Sequence, residues 1–330
     1  MSALSSLTPK GSYWVTVRQY RRTLWLTAAA VVLALAVIGS LRIWDAGTPD
    51  SYVHQGEQVP ANDTGYALLR IAMEYGGGVL ILLPLLVAAF VAGPLVAREY
   101  ESGTYRLSLT QSVSPVVWLR TKLLAATAAA FLTALALMGV FRIGWVRISA
   151  PGATAWDPGP YAATGIVLFA YLLAAVAVGA LVGQLIRRTL LAMAATGLVL
   201  GVVLLVLGTL RWSFLTAERI IGPASAGTPL WPSENGLVME EGLLTAAGER
   251  FDQGICWREV DRTPGLDADP TLWEKVFDQC LDRNGITTRF VDYHPPAHFW
   301  PTQLLESGIV LALAALALVA AFRVLRARHP

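Results

Sequence analysis

Six apolar stretches, each about long enough to cross a hydrocarbon core as a helix, constrain this chain more than any other feature. They cover residues 24–44, 78–96, 123–141, 161–186, 190–210 and 308–325. At 1.5 Å per residue, about 20 residues match a core of about 30 Å. The runs lack the polar face that a surface helix of a soluble protein presents. A chain of 330 residues that is 55% hydrophobic and 15% charged also falls outside ordinary soluble composition. The expected fold class is an all-α polytopic membrane protein with six transmembrane helices and a partly helical extracytoplasmic cap between the fifth and sixth.

Charge then sorts the connecting segments. Alternate threading with the N-terminus inside puts 1–23, 97–122, 187–189 and 326–330 on one side. Those segments hold Lys10, Arg18, Arg21, Arg22, Arg98, Arg106, Arg120, Lys122, Arg187, Arg188, Arg326 and Arg328. The short segments on the other side hold Arg42, Arg70, Arg142 and Arg147. A basic excess on short cytoplasmic segments fixes orientation, so both termini are expected in the cytoplasm of a bacterial cell. Glu99 and Glu101 are the acids on that inner side. The first run is longer than a signal-peptide h-region and no small-x-small cleavage site follows it, so it reads as a retained anchor.

Four regions follow: 1–23, a cytoplasmic interfacial segment with Tyr13, Trp14 and Tyr20; 24–212, spans one to five; 213–305, the cap; and 306–330, the last span with its basic tail. Residues 66–75 predict a short interfacial helix, stopped by Gly76-Gly77-Gly78 before span two. Pro84 and Pro94 in span two mark either a hinge beside a translocation path or a static bend. Gly179, Gly183, Gly197 and Gly201 give small-residue spacing for close helix approach. In the cap, Asp269 as N-cap, Pro270, then Leu272, Trp273, Val276, Phe277 and Leu281 with Gly285 as stop predict a helix. A second helix is expected over 237–247. Cys256 and Cys280 share this segment; in an oxidising compartment they would close a loop of about 25 residues, worth about 3 kcal/mol, and otherwise they are two free thiols.

Catalytic chemistry finds little support. The lysines are Lys10, Lys122 and Lys275, and none follows Gly-x-x-x-x-Gly, so no P-loop is present. His294 and His298 are four apart, but Pro295 and Pro296 between them bar a shared helix face, and no metal site is expected there. No Gly-x-Ser-x-Gly elbow occurs. Charges within the spans are nearly absent, which argues against a proton- or sodium-coupled carrier. Thr127, Thr133, Tyr171, Gln184 and Thr196 remain as weakly polar lining for an amphipathic or hydrophobic cargo. Energy for any uphill movement has to come from elsewhere.

The inner segment 97–122 contains the inner acids, just before Gly103-Thr104. Pro115 is expected to open a short amphipathic helix with Trp118, ended by Arg120 and Lys122, that lies across the inner face. It would serve a soluble partner or rest on lipid headgroups. The Arg98-Glu99-x-x-x-Gly103-Thr104 run after span two, then a proline and a basic pair before span three, resembles the permease subunit of type-2 ATP-binding cassette (ABC) exporters. The six-span plan, the Arg187-Arg188 corner and the large segment before the last span also match. The closing YHPPAHFWPTQLLESGIVLALAA is similar to that of actinobacterial members. Where the family often has Gln-Pro-Val-Ser-Arg, this chain has Gln111-Ser112-Val113-Ser114-Pro115.

The resemblance implies two permeases, identical or related, on two ABC ATPase subunits, with the lipid bilayer as surroundings and no nucleic acid. ATP and Mg would be bound by the ATPase, and this chain would carry no cofactor or catalytic residue. The contacts it implies are Arg98, Glu99, Glu101, Gly103, Thr104, Trp118, Arg120 and Lys122. Two other classes stand beside it. One is a membrane-anchored sensor or assembly protein with a ligand-binding cap. The other is a polytopic enzyme using His294, His298, Glu240, Glu241, Asp261 and Asp292.

Overall fold

The computed structural model describes residues 21–48, 51–54, 57–60, 64–105, 114–149, 155–225, 230–232, 236–264, 269 and 271–328. The interfacial segment expected before residue 21, the Gln111-Ser112-Val113 turn and Pro270 lie outside the described residues. The chain divides into two compact units, one of residues 1–212 with 302–330, the other of residues 213–301.

The first unit is a helical bundle whose six longest helices are all apolar enough to span a membrane. They are α1 (Arg21–Ala46), α2 (Thr64–Ser102), α3 (Pro115–Ile148), α5 (Val167–Ile186), α6 (Thr189–Leu210) and α9 (Phe299–Arg328), with a short α4 (Pro158–Thr164) leading into α5. Between α1 and α2 lies a two-stranded hairpin, β1 (Ser51–His54) and β2 (Glu57–Pro60).

Several boundaries differ from expectation, each for a physical reason. Gly76-Gly77-Gly78 stops nothing: α2 runs through it, because Gly77 lies against the backbone of Gly159, where an added Cβ would meet Gly159 Cα at 2.8 Å. The glycines are spent on close approach, not on a turn. No separate helix lies across the bundle end after Pro115. Pro115 opens α3 itself, with Ser114 Oγ accepting from the Val117 N–H at 3.3 Å, and the helix continues unbroken to Ile148. The fourth span is interrupted at Gly165-Ile166, so the expected single run from 161 becomes two helices.

In α2 the backbone winds as a π-helix over Val87–Ala92, between Pro84 and Pro94. The Gly93 N–H donates to Ala88 O, five residues back. A proline ring at 94 would clash with the carbonyl four residues earlier, and the wider π turn relieves that clash. This segment is the hub of the bundle. A Cβ on Gly179 of α5 would meet the Ala92 carbonyl carbon at 2.5 Å, and one on Gly183 would meet Ala97 N at 3.1 Å. Gly197 and Gly201 of α6 face Ala89 and Leu85. The small-residue spacing therefore serves contact with α2 from two neighbouring helices.

The second unit is not merely partly helical; it is an α+β fold. Its antiparallel sheet has the order β3-β6-β4-β5, from β3 (Glu218–Pro223), β4 (Leu237–Leu244), β5 (Arg250–Phe251) and β6 (Thr288–His294). The helix expected over 237–247 is thus a strand. Its two glutamates look helical, but Gly242 sits under the Phe290 ring, where a Cβ would lie 2.8 Å from Phe290 Cε1, and cross-strand packing decides. Helices α7 (Gly254–Asp261) and α8 (Leu272–Arg283) cover one sheet face around Leu243, Val260, Phe277, Leu281 and Ile286. Asp269 Oδ1 accepts from the Thr271 N–H at 2.9 Å just before α8, and Gly285 ends it with φ 65°. Cys256 of α7 and Cys280 of α8 are joined in a disulfide, both buried in this core.

Arg219 Nε and Nη2 each donate to Asp292 at 2.7 Å, joining β3 to β6. That bidentate bond holds the Asp292 carboxyl below its ordinary range. A depressed carboxylate stabilises above its unfolded pKa, and that stabilisation is lost as pH falls through the lowered value. Thermal unfolding of this unit, followed within the whole chain, is therefore expected to lose stability as pH drops below about 4. Asp292→Asn is expected to flatten that dependence; an unchanged acid profile would contradict the assignment.

Candidate functional site

At one end of the bundle five helix termini converge, and every described residue that the sequence singles out in 97–122 lies there. Glu99 is buried on α2 although its neighbours Arg98 and Glu101 are exposed. Its Oε1 accepts from Lys122 Nζ at 2.5 Å and its Oε2 from the Trp118 indole N–H at 3.1 Å. Lys122 Nζ also lies 5.5 Å from the Trp118 ring centroid. Residues 118 and 122 are one turn apart on α3, so a single carboxylate grips one face of that helix. The Tyr100 ring packs edge-on against Trp118, and Arg187 sits 5.6 Å over Tyr100 from the corner between α5 and α6.

The corner is left-handed at Arg187, with φ 53°, a conformation L-residues adopt at a cost of about 1–2 kcal/mol. Glu101 secures its other side. Its Oε2 accepts from the Thr189 N–H at 2.9 Å and from the Thr189 hydroxyl, capping the first turn of α6. Arg328, near the end of α9, donates to the Gln184 carbonyl of α5 at 2.5 Å. Gly103 caps α2 with φ 72°, and Ser102 and Thr104 hydroxyls meet at 2.8 Å. Arg98, Glu101, Gly103, Thr104 and Arg120 are exposed; Glu99, Trp118 and Lys122 are buried beneath them.

The eight residues thus separate by role. Three form a buried clamp between α2 and α3, and five remain outside it, of which Glu101 reaches across to α6. Sequence reading grouped all eight as surface contacts, because spacing alone does not reveal which side a carboxylate faces.

At the opposite end the sequence reading missed a second cluster. Glu306, fully buried on α9, accepts from Arg211 Nε at 2.7 Å and Nη2 at 2.8 Å, from Tyr171 Oη at 2.7 Å and from Tyr161 Oη at 3.1 Å. Arg211 Cζ stacks 3.9 Å from the Tyr161 ring centroid. Three residues earlier on α9, Gln303 bridges the break in the fourth span, donating to Tyr161 O at 2.9 Å while the Val167 N–H donates to its Oε1 at 3.0 Å. The helices are therefore not free of charge; their charges are matched. Asp45 likewise takes Arg42 at 2.7 Å and Arg147 at 3.0 Å. The available signal was a lone acid opening an apolar run and a lone arginine closing another.

Of the weakly polar residues, Tyr171, Gln184 and Thr196 are buried among helices, with Thr196 Oγ1 bonded back to Ala192 O. Thr133 instead lines an apolar groove of about 330 Å³ between α1, α2 and α3, with Leu24, Leu83, Phe90 of the π segment and Ala126.

The residues considered for chemistry in the second unit are occupied differently. His294 and His298 do meet, Nδ1 to Nδ1 at 3.1 Å, because β6 ends at His294 and a 3-10 turn over Pro296–His298 brings the second ring back. The prolines do bar a shared helix face, and a tight turn brings the two rings together instead. Among the described residues no group of three His, Cys, Asp or Glu side chains is placed to hold a metal ion. Glu240 pairs with Arg250 at 2.7 Å and Asp292 with Arg219.

Removing Lys122 would leave the Glu99 carboxylate buried without its cation, which costs about 3–5 kcal/mol. Lys122→Met is therefore expected to lower the thermal unfolding temperature of the purified protein markedly, and Glu99→Gln combined with Lys122→Met to recover most of the loss. Equal destabilisation by the single and double variants would contradict the pairing.

No curated protein and no solved structure matches the chain significantly. A family model does, that of ABC-2 membrane transporter related proteins, over residues 23–211, which takes in α1 to α6 and the whole α2–α3 clamp. The chain belongs to that family and is a multi-pass membrane protein of the ABC-2 permease type.

Proposed function

We propose that the chain is the membrane-spanning subunit of an ATP-driven exporter and receives its work through the exposed rim Arg98, Glu101, Gly103, Thr104 and Arg120. A separate ABC ATPase, present in two copies, would bind ATP and Mg and press on that rim. A second permease, identical or related, would complete the path. The rim and both termini are cytoplasmic in this reading, and the 213–301 unit lies outside the cell. The basic excess at the rim's end of the helices supports that orientation. The Cys256–Cys280 disulfide supports an oxidising environment for the other unit.

The observation that carries the proposal is the Glu99 clamp. A load applied to the end of α2 reaches α3 through Trp118 and Lys122 and reaches α6 through Glu101, with no flexible link between. The π segment of α2 lies about two to three turns further in, against the two helices that press on it through glycines. Movement of α2 is thereby passed to α5 and α6. The groove lined by Leu83, Phe90 and Thr133 supports an amphipathic or hydrophobic cargo.

Arg98 and Arg120 are exposed and their loss leaves the clamp intact. Arg98→Glu with Arg120→Glu is expected to abolish co-purification of the ATPase from native membranes, with the unfolding temperature unchanged. Undiminished co-purification would contradict the rim as the contact.

A further inference from the structure

The 213–301 unit carries a pocket that none of the roles above uses. About 280 Å³ in volume, it opens at the edge where α7 and α8 leave the sheet, lined by Glu241, Gln253, Trp257, Trp273, Phe277 and Arg289. Two indoles form its floor. Trp257 stacks on Trp273 with centroids 5.7 Å apart and planes 20° apart, and Phe277 supports Trp257 at 4.9 Å. Trp257 is nonetheless 42% exposed. It is held by those rings and still open to solvent.

The polar wall comes from the sheet. Glu241 of β4 stands opposite Val291 and Arg289 of β6 opposite Leu243, so Glu241 and Arg289 are diagonal neighbours on the face that the two helices cover. Diagonal neighbours lie about 7–8 Å apart, within reach of long side chains, yet no ion pair joins these two among the described residues. Glu241, Gln253 and Arg289 have no side-chain partner among the described residues, whereas the neighbouring Glu240, Arg250, Arg219 and Asp292 are all paired. Opposite charges have been held apart across a cavity instead of being joined.

From this arrangement we infer that the pocket binds a neutral pyranose ring, as a free sugar or as one unit of a glycan. An anion would meet Glu241, and a cation would meet Arg289, so net charge is disfavoured from both sides. Hydroxyl groups both donate and accept. An acceptor-only carboxylate, a donor-only guanidinium and an amide that does both satisfy them together. A sugar ring also has a face of C–H groups, and a fixed indole face is the apolar surface that such a ring can cover. A few convergent polar groups around an apolar floor is the usual make-up of a small-molecule site. The size admits one ring, with the open edge leaving room for the chain to continue. The inference stands whether or not the rim couples to an ATPase.

Saturation-transfer NMR on the full-length protein in lipid nanodiscs, free of sugar-based detergent, tests it. The probes are methyl glucopyranoside, methyl galactopyranoside, methyl mannopyranoside and methyl N-acetylglucosaminide, with glycerol and glycine as comparisons. At least one pyranoside is expected to show transfer to its ring C–H protons. Trp257→Ala is expected to remove the transfer. Glu241→Ala, at an exposed and unpartnered position where folding is not at stake, is expected to weaken binding about tenfold or more. Absence of transfer to every pyranoside would overturn the proposal. So would equal transfer to glycerol or glycine, or binding undiminished in Glu241→Ala.

Discussion

Hydrocarbon offers no partner for a charge, and the bundle is organised around that constraint. Among the described residues, each buried carboxylate of the bundle has been given an opposite charge. Glu306 has Arg211 and two tyrosines, Glu99 has Lys122 and an indole N–H, and Asp45 has two arginines. Such pairs add little net stability over apolar packing, but breaking one is severe because the remaining charge is stranded. Their effect is to specify geometry. Glu306 with Arg211 ties α9 to the end of α6, Asp45 with Arg147 ties α1 to α3, and Glu99 with Lys122 ties α2 to α3, which leaves the middle of the bundle to apolar contact.

The middle is where α2 departs from regular helix. Pro84 and Pro94 flank the π segment, and α5 and α6 close on it through glycines. Tight packing on both sides of an irregular backbone makes it a fixed element of the bundle in this state. Because α2 also ends in the Glu99 clamp, the same helix connects the exposed rim to the centre. The proposed coupling relies on that continuity.

Much of the fold was legible in the sequence because the bilayer imposes length and apolarity on every span. All six spans came from that rule alone. The boundaries were less legible. Gly76-Gly77-Gly78 reads as a stop, and only the backbone of Gly159 against it explains why the helix continues. The strand at Leu237–Leu244 carries a helix-like pattern that β6 overrides, a tertiary effect with no local signal. At the site, the described residues singled out in 97–122 all gather at one end of the bundle, but spacing could not separate the buried clamp from the exposed rim. Glu306 was missed because it falls two residues before the apolar run begins; its partner Arg211 falls one residue after another run ends.

The account depends on opposite exposure of the rim and the 213–301 unit across the membrane. The direct measurement introduces a single cysteine at exposed Ser102 or at exposed Ala246 and labels intact cells with a membrane-impermeant maleimide. Labelling at 246 and protection at 102 until the cells are permeabilised is the result expected. Labelling of 102 in intact cells would contradict the account, since no cytoplasmic ATPase reaches a rim that faces outward.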